Sequence, residues 1–434
     1  MDILTKKHDD NWYFSWVIAS TIWYEPFKVA VKYFGNHVKE DLGIYLVMAT
    51  MLLYAAYVSF LVIPRLKITK DMLIVLAFLV ASWTFSFLNN SNYVKIYGEE
   101  GLKLFVLSFP FYCIIKQIQD FSACKELMLK SACLALALML IKAMAGFLNN
   151  DFYPAGASYD QTSGVYFAPA CVVFLITLFE KKRLSDLLMF VLSTALLVFY
   201  GARMPIACVL IALALCILKK TVIKKYYTDR INKTHFSYAM AAVAVFLFAL
   251  LIPMIVFGSL KNDDASSNRV VNMIVSGKLA QDNARTVIHE AAKDYIEKHP
   301  FQGSGIINDR LVLARDPRVI TRFTGRVDDI SKWTGIYAHN IFLEIMMQYG
   351  LLLGLIICGV IVSLSLYSLV ENNEDRQIVT VLPLTMTYGI LLFSGPAFNS
   401  KWFWILMGMG TTSVLRIQIC SNQFTHNNEH NDYE

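Results

Sequence analysis

Three residues of this chain carry groups suited to polar chemistry in apolar surroundings: His339, Arg203 and Arg285. His339 closes a hydrophilic stretch at Tyr337-Ala338-His339-Asn340 and runs straight into the apolar Ile341–Gly350. An imidazole, with an ordinary pKa of about 6.5, is the natural proton acceptor there, although a lone histidine at a helix start also serves as a structural residue. Arg203 lies in the turn Tyr200-Gly201-Ala202-Arg203-Met204-Pro205. A guanidinium at mid-bilayer costs about 2.5–3.5 kcal/mol on insertion scales, and a turn near the interface lowers that cost. A bidentate grip on phosphate and a snorkelling anchor therefore stand level. Arg285 precedes His289 by one helical turn, where Val287, Ile288, Ala291, Ala292, Tyr295 and Ile296 recur at helical spacing. Asp282 is the expected N-cap and Pro300 the stop. Such a helix is either an ordinary solvated surface or one that aims Arg285 at a lipid head group.

The elements that must position these residues are set by hydropathy. Of 434 residues, 56% are hydrophobic and 17% charged, which excludes a water-soluble chain of this size. The expected fold is an all-α polytopic membrane protein with about 12 transmembrane helices and one large extracytoplasmic loop containing short helices. A span needs about 20 mostly apolar residues. The candidates are 12–34, 41–64, 72–88, 101–115, 126–148, 163–180, 185–200, 203–219, 236–257, 339–370, 377–395 and 399–418. Glu25, Lys28 and Lys32 interrupt the first, and the tenth is long enough to project beyond the bilayer. This gives transmembrane helices 1–9 over 1–257, a loop domain over 258–338, transmembrane helices 10–12 over 339–418 and a polar tail over 419–434.

Lys and Arg favour cytoplasmic loops. With the N-terminus inside, the cytoplasmic segments carry Lys6 and Lys7, then Arg65, Lys67 and Lys70, then Lys116, Lys125 and Lys130. Lys181, Lys182 and Arg183 follow, and then Lys219, Lys220, Lys224, Lys225, Arg230 and Lys233, whereas 149–162 has none. Both termini are then cytoplasmic and the loop domain lies outside. The first apolar segment lacks a small-residue cleavage pattern and reads as an anchor. The same bias accounts for the net charge of +6, so no nucleic-acid partner is called for. No cysteine falls in the loop domain, so no disulfide braces it.

Arg310, Arg315, Arg318, Arg322, Arg326 and Lys332 make the second half of the loop basic. Interspersed Asp309, Asp316, Asp328 and Asp329 make it read as a mixed solvated surface, with a patch for an anionic substrate as the alternative. His426-Asn427-Asn428-Glu429-His430 matches a zinc-peptidase pattern but sits in the polar tail without helical periodicity, so it is set aside. No compact carboxylate cluster suits a metal.

Taken in order, Arg285, His299-Pro300-Phe301-Gln302-Gly303-Ser304-Gly305, His339-Asn340-Ile341-Phe342-Leu343 and Gly350-Leu351-Leu352-Leu353-Gly354 resemble the O-antigen polymerase and O-antigen ligase superfamily. That family has an Arg-led outer helix, a P-x-x-G-x-G turn, H-N-x-x-L opening a span, and G-L-x-G. Arg203 falls where the family carries a Ser-Arg-Gly turn, here with Ala202 before it and Met204 after. The resemblance implies a Wzy-type polymerase that joins undecaprenyl-diphosphate-linked repeat units into O-antigen, capsular or exopolysaccharide at the outer face of the bacterial inner membrane. It implies His339, Arg203 and Arg285 as catalytic residues, and Asn340, Arg326, Lys332, Gly303 and Gly305 as substrate-binding. No cofactor and no metal is implied. The implied partners are the lipid-linked oligosaccharides and membrane lipids, with a chain-length regulator and a flippase as further candidates. A ligase that passes the glycan to lipid A core is the runner-up. A lipid-linked oligosaccharide transporter and a non-enzymatic scaffold stand behind it.

Overall fold

The computed structural model describes residues 9–39, 41–148, 161–200, 203–219, 283–323, 336–370, 376–391 and 396–413. Among the described residues every regular element is helical. In chain order these are α1 (Asp10–Val38), α2 (Leu42–Tyr57), α3 (Lys70–Asn89), α4 (Val94–Leu102) and α5 (Pro110–Gln117). Then come α6 (Phe121–Leu148), α7 (Gln161–Lys181), α8 (Leu184–Phe199) and α9 (Arg203–Leu218). The rest are α10 (Asn283–Lys298), α11 (Asn308–Arg315), α12 (Pro317–Phe323), α13 (Ile341–Tyr349), α14 (Leu351–Val370) and α15 (Gln377–Leu391), followed by a helix over 401–413. Among the described residues, five helical segments are long and apolar enough to cross a membrane: Leu42–Arg65, Lys70–Asn89, Phe121–Gly146, Ser163–Lys181 and Leu351–Leu369. The chain is thus a helical protein with membrane-spanning character. The expected span 236–257 and the tail 419–434 lie outside the described residues.

The chain divides into two compact units. The first comprises residues 1–66, 117–281 and 372–390. In it, α1 packs on α2, α6 and α7, and α7 packs on α6, α8 and α9. The centre is α7, whose apolar window is 83% buried, whereas that of Leu42–Arg65 is only 6% buried. Glu25 and Lys28 pair at 2.7 Å one turn apart on a continuous 29-residue helix, so the charges leave α1 helical, but α1 is not among the five described segments apolar enough to cross a membrane.

The second unit comprises residues 67–116, 282–371 and 391–434. Its segments long and apolar enough to cross a membrane are α3 and Leu351–Leu369 of α14, and it also holds the α4–α5 stretch and the helix over 401–413. The expected span 101–115 is not uniform: a π-helical run, Lys103–Ser108, joins α4 to α5. The expected single helix over 339–370 is likewise broken. Gly350 adopts φ 79° and ψ 170°, so α13 ends there and α14 restarts in a new direction. Gly354 lets the two helices approach, since a Cβ there would lie 2.7 Å from the Met346 Cα.

The described part of the loop domain has a small core of its own. On α10, Ile288, Ala291, Ala292 and Ile296 are buried against Leu313, Ala314, Val319, Ala338 and Met347. The apolar periodicity of α10 is therefore spent on α11, α12 and α13.

Candidate active site

His339 stands at the junction between the loop domain and α13 with its backbone at φ 51°, in the left-handed region. Non-glycine residues there are uncommon, and histidine is among the types that tolerate it. The next residue explains the local geometry. Asn340 is extended and its Oδ1 accepts from Phe342 N at 2.9 Å and Leu343 N at 3.3 Å, capping α13. The imidazole is half-buried against Tyr337, with ring centroids 4.2 Å apart at 49°. Burial pushes the Tyr337 hydroxyl above its ordinary range, while the Arg310 and Arg285 guanidiniums pull it back. Tyr337 therefore links Arg285 of α10 to His339, two of the sequence-derived candidates, within one unit.

Beneath Tyr337 lies a buried polar group that hydropathy did not single out. Glu344 and Gln348 occupy one face of α13, a turn apart, and both are buried. Gln348 Nε2 donates to Asp309 Oδ1 at 3.0 Å and to Glu344 Oε1 at 3.3 Å, so one amide bridges two carboxyl groups. The Ala397 backbone N–H also donates to Glu344 Oε2, at 3.0 Å. Burial holds the Asp309 carboxyl above the usual carboxylate range, and the neighbouring Arg310 guanidinium opposes that shift. Arg310 pairs with Glu100 of α4 at 2.9 Å, with side chains 7% and 3% exposed. Arg310 is thus no solvated loop charge, contrary to the sequence expectation. The neighbouring Asn308 follows Ile307, a β-branched residue at φ 75°. That is a true outlier, tolerated because the surrounding packing fixes the start of α11.

The Pro300–Gly305 turn has a definite mechanical role. Ser304 N donates to Met347 O at 2.8 Å, Gly305 N to Gln348 O at 2.9 Å, and Leu351 N to Pro300 O at 2.8 Å. The turn thereby satisfies carbonyls that α13 leaves open where Gly350 ends it. A Cβ on Gly303 would lie 2.1 Å from Gln348 O, and Gly305 is at φ 89° with Ser86 Oγ 2.3 Å from its would-be Cβ. Gly303 serves close approach of backbone to backbone, and Gly305 a left-handed turn packed against the Ser86 side chain.

Other candidates fall elsewhere. Arg318 is on the surface, bonded to Asp294 at 2.7 Å and Asp316 at 2.8 Å, and Arg315 lies over the Tyr93 ring at 5.4 Å. Arg203 opens α9 in the first unit, and its side chain lies outside the described set. Arg326 and Lys332 lie outside the described residues. Sequence reading missed Tyr337, Asp309, Glu344, Gln348 and Glu100. The charged Glu344, recurring with Gln348 at helical spacing in an apolar run, was the available signal.

Residues 188–358 match the family model described as O-antigen ligase. The matched range contains Arg203, Arg285, Gly303, Gly305, Arg326, Lys332, His339 and Asn340. No curated protein and no solved structure matches the chain.

Proposed function

Taking the chain as a member of the O-antigen ligase and polymerase superfamily through residues 188–358, we propose that it polymerises lipid-linked glycan repeat units by glycosyl transfer. Membership carries glycosyl-transfer chemistry and a role in O-antigen or related polysaccharide biosynthesis. The finer reading is ours. The donor is an oligosaccharide on undecaprenyl diphosphate, and the acceptor is the non-reducing end of a second lipid-linked repeat unit. The observation that carries it is the conjunction of Arg285, Tyr337 and His339, the last on left-handed backbone at the start of α13, all inside the matched range.

In this reaction an acceptor hydroxyl oxygen bonds to the anomeric carbon of the donor as the bond from that carbon to the diphosphate oxygen breaks. The electron pair leaves with the diphosphate. His339 takes the hydroxyl proton, and Arg203 and Arg285 stabilise the charge that develops on the departing diphosphate. A single displacement inverts the anomeric configuration. Asn340, Gly303 and Gly305 support the site by holding α13 and its turn, and Arg326 and Lys332 contribute positive charge for the anionic donor. The reaction runs without a metal or cofactor, so activity persists in chelator. We place the site on the outer face of the inner membrane, with about twelve spans, both termini cytoplasmic and a chain-length regulator and flippase as partners.

The match to a family described as O-antigen ligase favours one second reading, a ligase that transfers finished glycan to lipid A core. Complementation of a null strain with His339→Ala, at matched membrane abundance, tests both. General-base help is worth about 10²–10⁴ in rate, so long glycan should collapse to single repeat units. Full-length ladders would remove His339 from the mechanism. Surface lipid without glycan, with carrier-linked polymer accumulating, would assign the ligase.

A further inference from the structure

Two tyrosine–histidine pairs show what helical spacing alone produces. Tyr33 and His37 on α1 have ring centroids 4.2 Å apart, and Tyr295 and His299 at the end of α10 have theirs 4.3 Å apart. The partners stand four residues apart, where side chains on one helix face meet. In each pair the imidazole Nδ1 also lies within hydrogen-bond distance of the tyrosine carbonyl, at 2.8 and 3.0 Å. Tyr337 and His339 reach the same separation, 4.2 Å at a tilt of 49°, from only two residues apart and outside any helix. Their contact forms across a left-handed residue, His339 itself at φ 51°. Both neighbours hold that geometry: Ala338 is fully buried in the loop-domain core, and Asn340 caps α13. The fold thus sets a tyrosine ring against this imidazole where periodicity does not.

The charged groups that act on Tyr337 come from three helices: Arg310 of α11, Arg285 of α10 and Glu344 of α13. Glu100 meets the charge on Arg310 at 2.9 Å. Arg285 opposes a positive charge on the neighbouring imidazole, and Glu344, bonded to Gln348 and the Ala397 N–H, favours one when ionised. Glycosyl transfer creates such a charge. As the acceptor O–H bond breaks, its proton goes to His339 and its electron pair into the new bond to the anomeric carbon. An aromatic ring attracts a cation within about 6 Å of its centroid, more strongly where water is scarce. Unlike a carboxylate, it does so without repelling an anionic diphosphate.

Resting on the reading above, we propose that Tyr337 is a positioning residue for glycosyl transfer: its ring holds the His339 imidazole in place and stabilises the imidazolium formed when the acceptor hydroxyl gives up its proton. The role belongs to the ring and not to the phenol.

The test uses the full chain in nanodiscs, with carrier-linked single repeat units from the null strain as donor and acceptor. Tyr337→Leu removes the ring and Tyr337→Phe keeps it. At matched unfolding temperature, Tyr337→Leu should lower kcat about five- to thirtyfold and leave KM within about threefold. The acid limb of its kcat/KM profile should move to lower pH, because a less stabilised imidazolium gives up its proton more readily. Tyr337→Phe should retain the native acid limb and a kcat within about threefold of the native value. If Tyr337→Leu is lost from the membrane, Tyr337→Met, which adapts to irregular gaps, replaces it. An unchanged kcat and acid limb in the ringless variant overturns the proposal, as does a change confined to KM. Equal loss in Tyr337→Phe and Tyr337→Leu also overturns it, by giving the role to the hydroxyl. If the native protein leaves the units unextended, it is the polymerase reading that falls; the same variants are then compared on transfer to lipid A core, where the ring should act in the same way.

Discussion

Arg310 and Arg318 sit eight residues apart in the same basic stretch, and each has a carboxylate partner, yet their environments differ sharply. Arg310 meets Glu100 at 2.9 Å with both side chains nearly sealed from solvent. Arg318 bonds two carboxylates, Asp294 and Asp316, at still shorter distances, but its side chain is 42% exposed. Water already solvates Arg318, so its pairs replace one good environment with another. Around Arg310 water is excluded, and removing its guanidinium leaves the buried Glu100 carboxylate only Lys103, at 2.7 Å and half exposed, and the Asn399 amide to offset its charge. Burial, more than the number of ion pairs, decides which charge the domain depends on.

The largest effect should come from breaking the inner pair. Arg310→Ala should cost about 3–5 kcal/mol, seen as a large fall in unfolding temperature and in membrane abundance. Replacing Arg310 and Glu100 together with apolar residues of similar size should cost less than Arg310→Ala alone, whereas an equal or larger cost would show that the charge itself is required. Next comes Gly303→Ala, which drives a methyl into Gln348 O and should cost about 1–3 kcal/mol, with Ser304→Ala tolerated as the neighbouring control.

The Asp309 effect is one of pH. Its folded pKa is raised above the unfolded value of about 3.9, so its stabilising contribution is complete below that value and is lost as pH rises through the folded value. The unfolding temperature of the native protein relative to Asp309→Asn should therefore fall as pH is raised from about 4. A flat difference would show that Asp309 is not held protonated. Arg318→Ala, at the outer surface, should leave unfolding temperature and glycan length unchanged. A loss matching that of Arg310→Ala would end the comparison.

The all-helical, membrane-type character and the five described spanning segments were readable from length and hydropathy, because a membrane-type helix needs only a sustained apolar run. The helix α10 was also readable, with its apolar face, its stop at Pro300 and the position of Arg285. The break at Gly350 was not, since apolar residues continue on both sides and only a φ of 79° separates two helices. Nor could the sequence tell Arg310 from Arg318. The partner that makes Arg310 special, Glu100, lies 210 residues away, and only folding brings it near. His339 and Asn340 were readable as a pair. Their division of labour, an imidazole on left-handed backbone followed by a capping amide, required the backbone angles.

The turn at 300–305 and the end of α13 are written far apart in the chain, yet each supplies hydrogen bonds the other lacks. They must therefore be inherited, and exchanged between relatives, as one part. A chimera that brings in a foreign 339–354 while keeping the host's 300–305 would mismatch the glycine-to-backbone contacts, even if every apolar run were preserved.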